Sequence, residues 1–250
     1  MSRRLVAALA CRNAGSRLYG KPVQNLDVDR QVRIIDNIVD CLHSLDCIDE
    51  IVLGISEGAE NDLFKEIASD KGLSYIVGDK IDVLGRLIAC GRQGGATDIF
   101  RVTSESPFLY FEPVEALWRR HVEDGNDATF LDDIIDGCGF EIIRQSALES
   151  SHANGEPKHR SELCTLYIRE HAADFQIHRE SPPEALRRKD LRLTVDNPED
   201  LVVCRAVYRK FAALAPRIPV LDVVKFLDRN PRLIELVAPY AEGGYNTMYL

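Results

Sequence analysis

The chain has 250 residues, of which 45% are hydrophobic and 28% charged, a composition that suits one α/β domain with a sizeable core. Its net charge is −9, and the sequence contains no basic run. The electrostatic footprint of a nucleic-acid-binding protein is therefore missing, and we predict no nucleic-acid partner.

The first half of the sequence alternates short apolar strands with amphipathic helices. Each predicted strand is apolar and ends in polar residues, and they lie at 5–10, 50–56, 73–78 and 98–104. Helices with an apolar stripe follow them, at 29–45, 59–71, 81–90 and 114–123. Such alternation is typical of βαβ units. We therefore predict a three-layer α/β/α fold around a mostly parallel sheet.

The alternation loosens in the second half of the chain. Further strands are predicted at 127–131, 139–144, 175–180 and 191–195. Helices are predicted at 162–171 and 198–213, and one or two more in a helical tail at about 215–250 with a break at Asn230-Pro231. We interpret about 130–190 as a small inserted β/α section, which covers a site or makes a dimer contact, within a single domain spanning 1–250.

Cysteine usage and the apolar runs bear on the compartment. The seven cysteines show no CxxC spacing, and no Cys/His set has the spacing of a zinc site. An odd number without a disulfide framework predicts reduced thiols and a cytoplasmic protein. The apolar run at 5–10 stops before Arg12, and no later run approaches the roughly 20 residues of a membrane helix. We predict neither a secretory signal nor a membrane contact.

The loop after the first strand, ACRNAGSRLYGKP at 10–22, carries a chemical signal. Ligands of open α/β sheets bind beyond the carboxyl ends of strands. Small residues such as Gly15 and Ser16 let backbone N–H groups approach phosphate oxygens there. Positive charge for a leaving pyrophosphate comes from Arg12, Arg17 and Lys21. The loop matches neither GxGxxG nor the P-loop, which argues against a dehydrogenase and a kinase, although a solvated turn is the alternative interpretation.

Acidic residues follow two of the later predicted strands. Glu105 comes after the fourth strand, where a carboxylate is well placed to hold Mg²⁺ against phosphates, or is simply a loop carboxylate. Asp196 ends the strand predicted at 191–195. Glu199 and Asp200 then lie in the first turn of the next helix, where acidic side chains favour the positive helix end.

The stretch GDKIDVLGRL at 78–87 combines a turn with the start of a helix. Asp82 is a candidate N-cap for that helix, and Arg86 follows one turn later. Capping and packing explain Asp82 as well as ligand binding does.

Five stretches, in order along the chain, resemble the cytidylyltransferases that activate sugar acids, such as the CMP-Kdo and CMP-sialate synthetases. The best match within that family is the branch named for spore coat polysaccharide biosynthesis protein F. The five stretches lie at 10–22, 78–87, 100–109, 159–170 and 191–201. This chain departs from the family pattern at Glu105, where the family has a metal-binding Asp, and at Leu163, where it has His.

The resemblance implies a nucleotidyltransferase (Rossmann-like) fold and a Mg²⁺-dependent enzyme. The enzyme would transfer CMP from CTP to a small anionic acceptor, of sugar-acid or phosphate/phosphonate type, with release of pyrophosphate, for surface glycan biosynthesis. The implied CTP-binding residues are Ala10, Cys11, Arg12, Ser16, Arg17, Lys21, Asp82, Arg86 and Thr103. The implied catalytic residues are Arg17, Lys21 and the metal carboxylates Glu105 and Asp196. The implied acceptor-binding residues are Glu162, Thr165 and Tyr167, and the implied assembly is a homodimer.

Two other functions fit the same residues. One is a nucleotidyltransferase of the same fold that uses another nucleotide and a sugar phosphate. The other is a catalytically inactive nucleotide-binding relative, which Glu105 and the altered stretch at 160–163 suggest. Pyrophosphate release from each nucleotide in turn would separate these functions. A plain Rossmann-like redox protein is disfavoured by the lack of GxGxxG.

Overall fold

The computed structural model describes residues 3–247, which form nine strands and nine α-helices. The strands are β1 (Leu5–Cys11), β2 (Asn25–Asp27), β3 (Val32–Arg33), β4 (Glu50–Ser56), β5 (Ser74–Gly78), β6 (Asp98–Arg101), β7 (Ala128–Leu131), β8 (Glu141–Arg144) and β9 (Ile177–Glu180). The helices are α1 (Ile34–His43), α2 (Leu63–Lys71), α3 (Val83–Gly94), α4 (Val114–Glu123), α5 (Gln145–Asn154), α6 (Leu166–Glu170), α7 (Pro198–Phe211), α8 (Val220–Asp228) and α9 (Pro231–Thr247).

A seven-stranded sheet forms the centre of the fold, in the order β5-β4-β1-β6-β8-β7-β9. Its neighbouring strands are parallel except where β8 pairs antiparallel with β6 and β7. This is the mostly parallel sheet that the alternation of elements predicts. Because β1, β4 and β6 run parallel, their carboxyl ends meet at one edge of the sheet.

Two apolar clusters cover the two faces of the sheet. Along β1, Leu5, Ala7 and Leu9 belong to one cluster, and Val6 and Ala8 to the other. The first cluster also takes buried side chains from α1, α2, α4, α7 and α8, and the second takes them from α3, α5 and α6. Helices therefore pack on both faces, and the predicted three-layer α/β/α fold is confirmed.

The prediction of a strand at 191–195 is wrong. The segment makes only an isolated bridge, between Arg192 and Asp136. Its backbone N–H groups go to two different loops: Leu193 donates to the Asp136 carbonyl at 2.8 Å and Val195 to the Glu105 carbonyl at 3.1 Å. The sequence pattern cannot distinguish such a segment from a buried strand, because every side chain from Leu191 to Val195 is buried.

Two helices also differ from the sequence prediction. The helix predicted at 162–171 is confined to α6, because the Glu162 carbonyl accepts a hydrogen bond from Arg101 at 2.8 Å and the chain turns there. The helix α5 was not predicted, since its Ser-rich sequence buries only Ala147, Leu148 and Ser151 and lacks a clear apolar stripe.

The section at about 130–190 contributes β8 and β9 to the central sheet, and α5 and α6 pack on its face. The tail forms α8 and α9, with α9 starting directly at the predicted break. Because the section adds strands to the central sheet and the tail helices pack into the first apolar cluster, we propose that the chain forms a single domain. None of the helices in the described part of the chain is long and apolar enough to cross a membrane.

Candidate active site

A cavity of about 660 Å³ opens at the carboxyl ends of β1 and β6. This volume lies in the ordinary range for small-molecule sites, about 300–1,000 Å³. Of the predicted nucleotide-binding residues, those that line it are Ala10, Arg12, Ser16, Arg17, Lys21, Arg86 and Thr103. The two predicted metal carboxylates, Glu105 and Asp196, line it as well. Residues from distant parts of the sequence therefore meet at one site.

The loop after β1, residues 12–20, is held from behind and faces the cavity. The backbone N–H of Asn13 donates to the Asn61 side chain at 2.8 Å, and its carbonyl accepts from Gly20 at 2.8 Å. A Cβ at Gly15 would collide with the Leu18 carbonyl, so this turn requires glycine. Ser16 lies on the exposed side of the loop and lines the cavity, where it could contact a ligand.

Asp196, in the second half of the chain, pairs with cations of the loop after β1. Its Oδ1 accepts from the Lys21 ammonium at 2.5 Å and lies 3.4 Å from the Arg17 guanidinium. Its Oδ2 is paired with Arg192. Burial alone would raise the pKa of Asp196, but Lys21 and the two arginines outweigh it and hold the pKa below its usual value. Asp196 is therefore a charged group at neutral pH.

Glu105 lies on the other side of the same cavity. Its backbone carbonyl accepts from Val195, the residue before Asp196, and its side chain accepts from the Ser104 hydroxyl at 3.2 Å. Burial raises the pKa of Glu105, and the nearby charge of Asp196 adds to this against the attraction of Lys21. Two carboxylates that repel each other beside a cationic loop form a site that a divalent cation would stabilise.

The donor set fits a hard divalent cation, because both candidate ligands are carboxylate oxygens. Within residues 3–247, no cluster of three His, Cys, Asp or Glu side chains is arranged to hold a metal ion. An ion bound between Glu105 and Asp196 would thus take its remaining ligands from water or from a bound substrate, as Mg²⁺ commonly does.

Arg86 is a buried cation at the inner wall of the cavity. It is only 2% exposed, and its Nη1 donates to the carbonyl of Gly54, at the carboxyl-terminal half of β4, at 2.8 Å. Its Nε has no hydrogen-bond partner in the described part of the chain. Burial lowers the pKa of Arg86. A buried donor without a partner is costly, so the Arg86 guanidinium is incompletely satisfied at the wall of the cavity.

The structure does not bring two of the predicted nucleotide-binding side chains to the cavity wall. Asp82 caps α3 by accepting from the Gly85 N–H at 2.7 Å, which confirms the capping interpretation. Its other oxygen lies 2.6 Å from His152 Nε2. The Cys11 thiol points into the core, where burial raises its pKa to about 12.

Of the three predicted acceptor-binding residues, one lines the cavity and two do not. Glu162 lines the cavity and pairs with Arg12. Thr165 is buried and donates to Glu141 at 2.8 Å, and Tyr167 stacks on the His171 ring at 4.1 Å between centroids. Neither Thr165 nor Tyr167 is among the residues that line the cavity.

A cluster of ion pairs at the far end of the cavity was missed by sequence reasoning. Glu141 accepts from Arg101 at 2.5 Å and from Arg169 at 2.9 Å, and Arg169 also pairs with Asp132 at 3.1 Å. Burial alone would raise the pKa of Glu141, but the two guanidinium groups lower it to about 2. Arg101 and Arg169 lie within the stretches at 100–109 and 159–170, whereas Glu141 sits in an apolar strand with no motif around it.

Replacing Glu141 by Gln is expected to lower the free energy of unfolding at pH 7 by about 3 kcal/mol, because two buried guanidinium groups lose their shared counter-charge. The folded pKa of about 2 lies below the ordinary value of 4.5 for a Glu side chain. The stabilisation by Glu141 is therefore complete above pH 4.5 and is lost as the pH falls toward 2. Urea unfolding of both proteins between pH 7 and pH 3 should show the difference shrinking on acidification. A constant difference would contradict this assignment.

Similar proteins include two curated sequences. One is an uncharacterized protein of Methanocaldococcus jannaschii, 24% identical over 242 residues that cover 97% of this chain and 98% of that protein. The other is the spore coat polysaccharide biosynthesis protein F of Bacillus subtilis, 26% identical over 226 residues that cover 89% of this chain and 93% of that protein. No family model matches the chain.

Several solved structures are similar to this chain in fold. A cytidylyltransferase from Leptospira borgpetersenii superposes with a TM-score of 0.84 at 20% identity, covering 93% of this chain and 97% of that one. This is a nucleotidyltransferase fold. CMP-2-keto-3-deoxy-manno-octonic acid synthetase in complex with CTP superposes with a TM-score of 0.61 at 14% identity, over 83% of this chain and 99% of that one. A Mycobacterium tuberculosis protein in complex with manganese superposes with a TM-score of 0.54 at 12% identity, over 82% of this chain and 99% of that one.

These similarities confirm the predicted fold class and the predicted resemblance to cytidylyltransferases of the spore coat F branch. They also support the prediction that the chain is an enzyme of the nucleotidyltransferase class.

Proposed function

We propose that the protein is a Mg²⁺-dependent cytidylyltransferase that transfers CMP from CTP to a small anionic acceptor and releases pyrophosphate. One observation carries the proposal: Lys21 and Arg17, from the loop after β1, converge on Asp196 at a cavity that Glu105 also lines. Cations for a leaving pyrophosphate and carboxylates for a metal ion are the two sets of groups that nucleotidyl transfer needs.

The chemistry is an in-line displacement at the α-phosphorus of CTP. An acceptor oxygen forms the new O–P bond, the bond from the α-phosphorus to the bridging oxygen of pyrophosphate breaks, and the acceptor proton passes to solvent. Negative charge builds on the departing pyrophosphate, where Lys21 and Arg17 would stabilise it. Arg12 and Ser16 would bind the triphosphate and hold its orientation.

Glu105 and Asp196 are the residues that would hold the divalent ion, which supplies positive charge to the phosphates when bound. The raised pKa of Glu105, caused by burial and by Asp196, supports a cation between them. A structural neighbour in complex with manganese supports the metal class. Glu105 reaches one methylene farther than the Asp of the family, so the chain retains the charge but changes its position.

Cytosine would lie at the inner end of the cavity, near Ala10 and Arg86. The guanidinium of Arg86 already donates to the carbonyl of Gly54 and has an unpaired Nε. Cytosine presents two neighbouring acceptors, O2 and N3, whereas uracil carries a proton at N3. A guanidinium donor that reaches O2 and N3 of the base would therefore favour cytosine over uracil.

The acceptor would lie at the far end of the cavity. Three side chains of its wall there are charged: Arg101, Glu141 and Arg169. They are arranged in ion pairs, which can donate to an anionic group and accept from hydroxyls. We also propose a cytoplasmic homodimer acting in surface glycan synthesis, on the basis of the family resemblance.

Pyrophosphate release from each nucleoside triphosphate in turn tests the proposal. The assay pairs CTP, UTP, dTTP, GTP and ATP with a panel of sugar acids, sugar phosphates and phosphonates, in Mg²⁺ or Mn²⁺. We expect release from CTP and an anionic acceptor, and none when the metal is chelated. Release only from another nucleotide with a sugar phosphate would establish the same-fold alternative.

The second candidate, an inactive nucleotide-binding protein, is favoured only by Glu105 in place of the family's Asp. Such a protein would bind CTP in a calorimetric titration but would release no pyrophosphate with any acceptor of the panel.

A further inference from the structure

Arg192 lies at the centre of a buried ion network beside the cavity. It is 2% exposed, and its three nitrogens are divided among three carboxylates. Nε donates to Asp200 at 3.0 Å, Nη1 pairs with Asp136 and Nη2 pairs with Asp196. The tail covers this network, because a Cβ at Gly244 in α9 would collide with both Arg192 and Asp136. A fully buried guanidinium in contact with three carboxylates is held in one orientation.

Asp200 extends the network into the backbone next to Asp196. It is fully buried, and its Oδ2 accepts from the N–H groups of Asp196 at 2.9 Å and Asn197 at 2.8 Å. Its Oδ1 accepts from Arg192. The first-turn acidic residue that the sequence explains by the positive end of the helix therefore also fixes Arg192, and through it the Asp196 side chain.

The two oxygens of Asp196 have different partners. Oδ2 faces the buried Arg192, whereas Oδ1 faces the loop cations Lys21 and Arg17. Among the ion pairs of residues 3–247, Lys21 and Arg17 pair with no carboxylate other than Asp196, whereas Arg192 is also held by Asp136 and Asp200. Therefore only Oδ1 can change partners when a ligand binds, whereas Oδ2 stays paired with Arg192.

We propose that Arg192 is a positioning residue that occupies Oδ2 of Asp196 and leaves Oδ1 as the single oxygen offered to a divalent cation. This inference rests on the proposed function, in which Asp196 is a metal carboxylate. Residues that orient a metal ligand from behind commonly change metal affinity by about 10–100-fold when they are replaced. Without Arg192, Oδ2 of Asp196 would lose its buried partner, and the carboxylate would be held only through Oδ1 by the loop cations Lys21 and Arg17.

Mn²⁺ binding, followed by the electron paramagnetic resonance signal of free Mn²⁺, tests this role without requiring turnover. The wild type, Arg192→Met and Arg192→Lys are titrated with and without CTP. Arg188→Met is the control, because Arg188 lies in the same segment and pairs with the exposed Asp190 and Asp228. We expect Arg192→Met to weaken Mn²⁺ binding about 10–100-fold, Arg192→Lys to restore part of it, and Arg188→Met to leave it unchanged.

Folding is checked by circular dichroism and thermal unfolding, since Arg192→Met leaves buried carboxylates without their cation. If that variant does not fold, the Mn²⁺ affinity of Arg192→Lys is the test, because Lys keeps the charge but cannot bridge three carboxylates. In a folded variant we expect kcat to fall more than the KM for CTP changes. A folded Arg192→Lys or Arg192→Met with wild-type Mn²⁺ affinity and wild-type kcat would overturn the proposal. Absence of CTP turnover in the wild type would instead refute the proposed function, while the Mn²⁺ titration would still report on Arg192.

Discussion

Replacing Asp196 by Asn is expected to lower the rate of pyrophosphate release from CTP by at least about 10²–10³-fold, the usual loss when a group that stabilises transition-state charge is removed. Asn has nearly the same shape but lacks the charge on which Lys21 and Arg17 converge. It also removes one of the two carboxylates proposed to hold the metal ion. The measurement is steady-state pyrophosphate release at saturating CTP and metal.

The matched control for this change is Asp190→Asn. Asp190 is an exposed carboxylate six positions earlier that pairs only with Arg188 among the ion pairs of residues 3–247. The Asp190→Asn substitution should leave turnover unchanged. Both variants should keep the wild-type circular dichroism spectrum, because the backbone of Asp196 stays bonded to Asp200. Near wild-type turnover of a folded Asp196→Asn protein would eliminate Asp196 as a metal carboxylate.

The loop after β1 was predictable because its chemistry is local. Gly15, Ser16 and the three cations lie within ten residues, directly after an apolar strand. The topology of a parallel sheet then brings the ends of β1 and β6 together, so Glu105 could be assigned to the same site without knowing any long-range contact.

The rest of the site depends on contacts that no local pattern encodes. Glu141 meets Arg101 and Arg169 only because β8 inserts antiparallel beside β6 and α6 packs over it. Asp82 illustrates the converse, because an acidic residue before a helix can equally cap it or bind a ligand, and here it caps. A motif limits which side chains are available, whereas the register of distant strands decides which of them meet.

Asp200 shows why a correct local explanation can hide a second role. Capping the first turn of α7 uses one of its oxygens, and the other oxygen holds Arg192. From the sequence, the favourable interaction of an acidic side chain with the positive helix end accounted for the residue. The missing information was the long-range contact that places Asp136 beside Arg192, which no local pattern encodes.

Replacing Lys21 by Met is expected to lower kcat about 10²–10³-fold with a smaller change in the KM for CTP, because charge on the pyrophosphate develops in the transition state. Lys80→Met is the control, since Lys80 is an exposed cation 3.9 Å from Glu60. Met also removes the closest partner of Asp196 Oδ1, which lies 2.5 Å from the Lys21 ammonium.

Mn²⁺ binding without nucleotide should therefore be retained or strengthened in Lys21→Met, even though turnover collapses. That combination would separate the two parts of the site, with Lys21 acting on the leaving group and Asp196 on the cation. A raised KM with an unchanged kcat would show instead that Lys21 binds CTP and its transition state equally, so that the cation stabilising the leaving pyrophosphate must be sought elsewhere, with Arg17 as the next candidate.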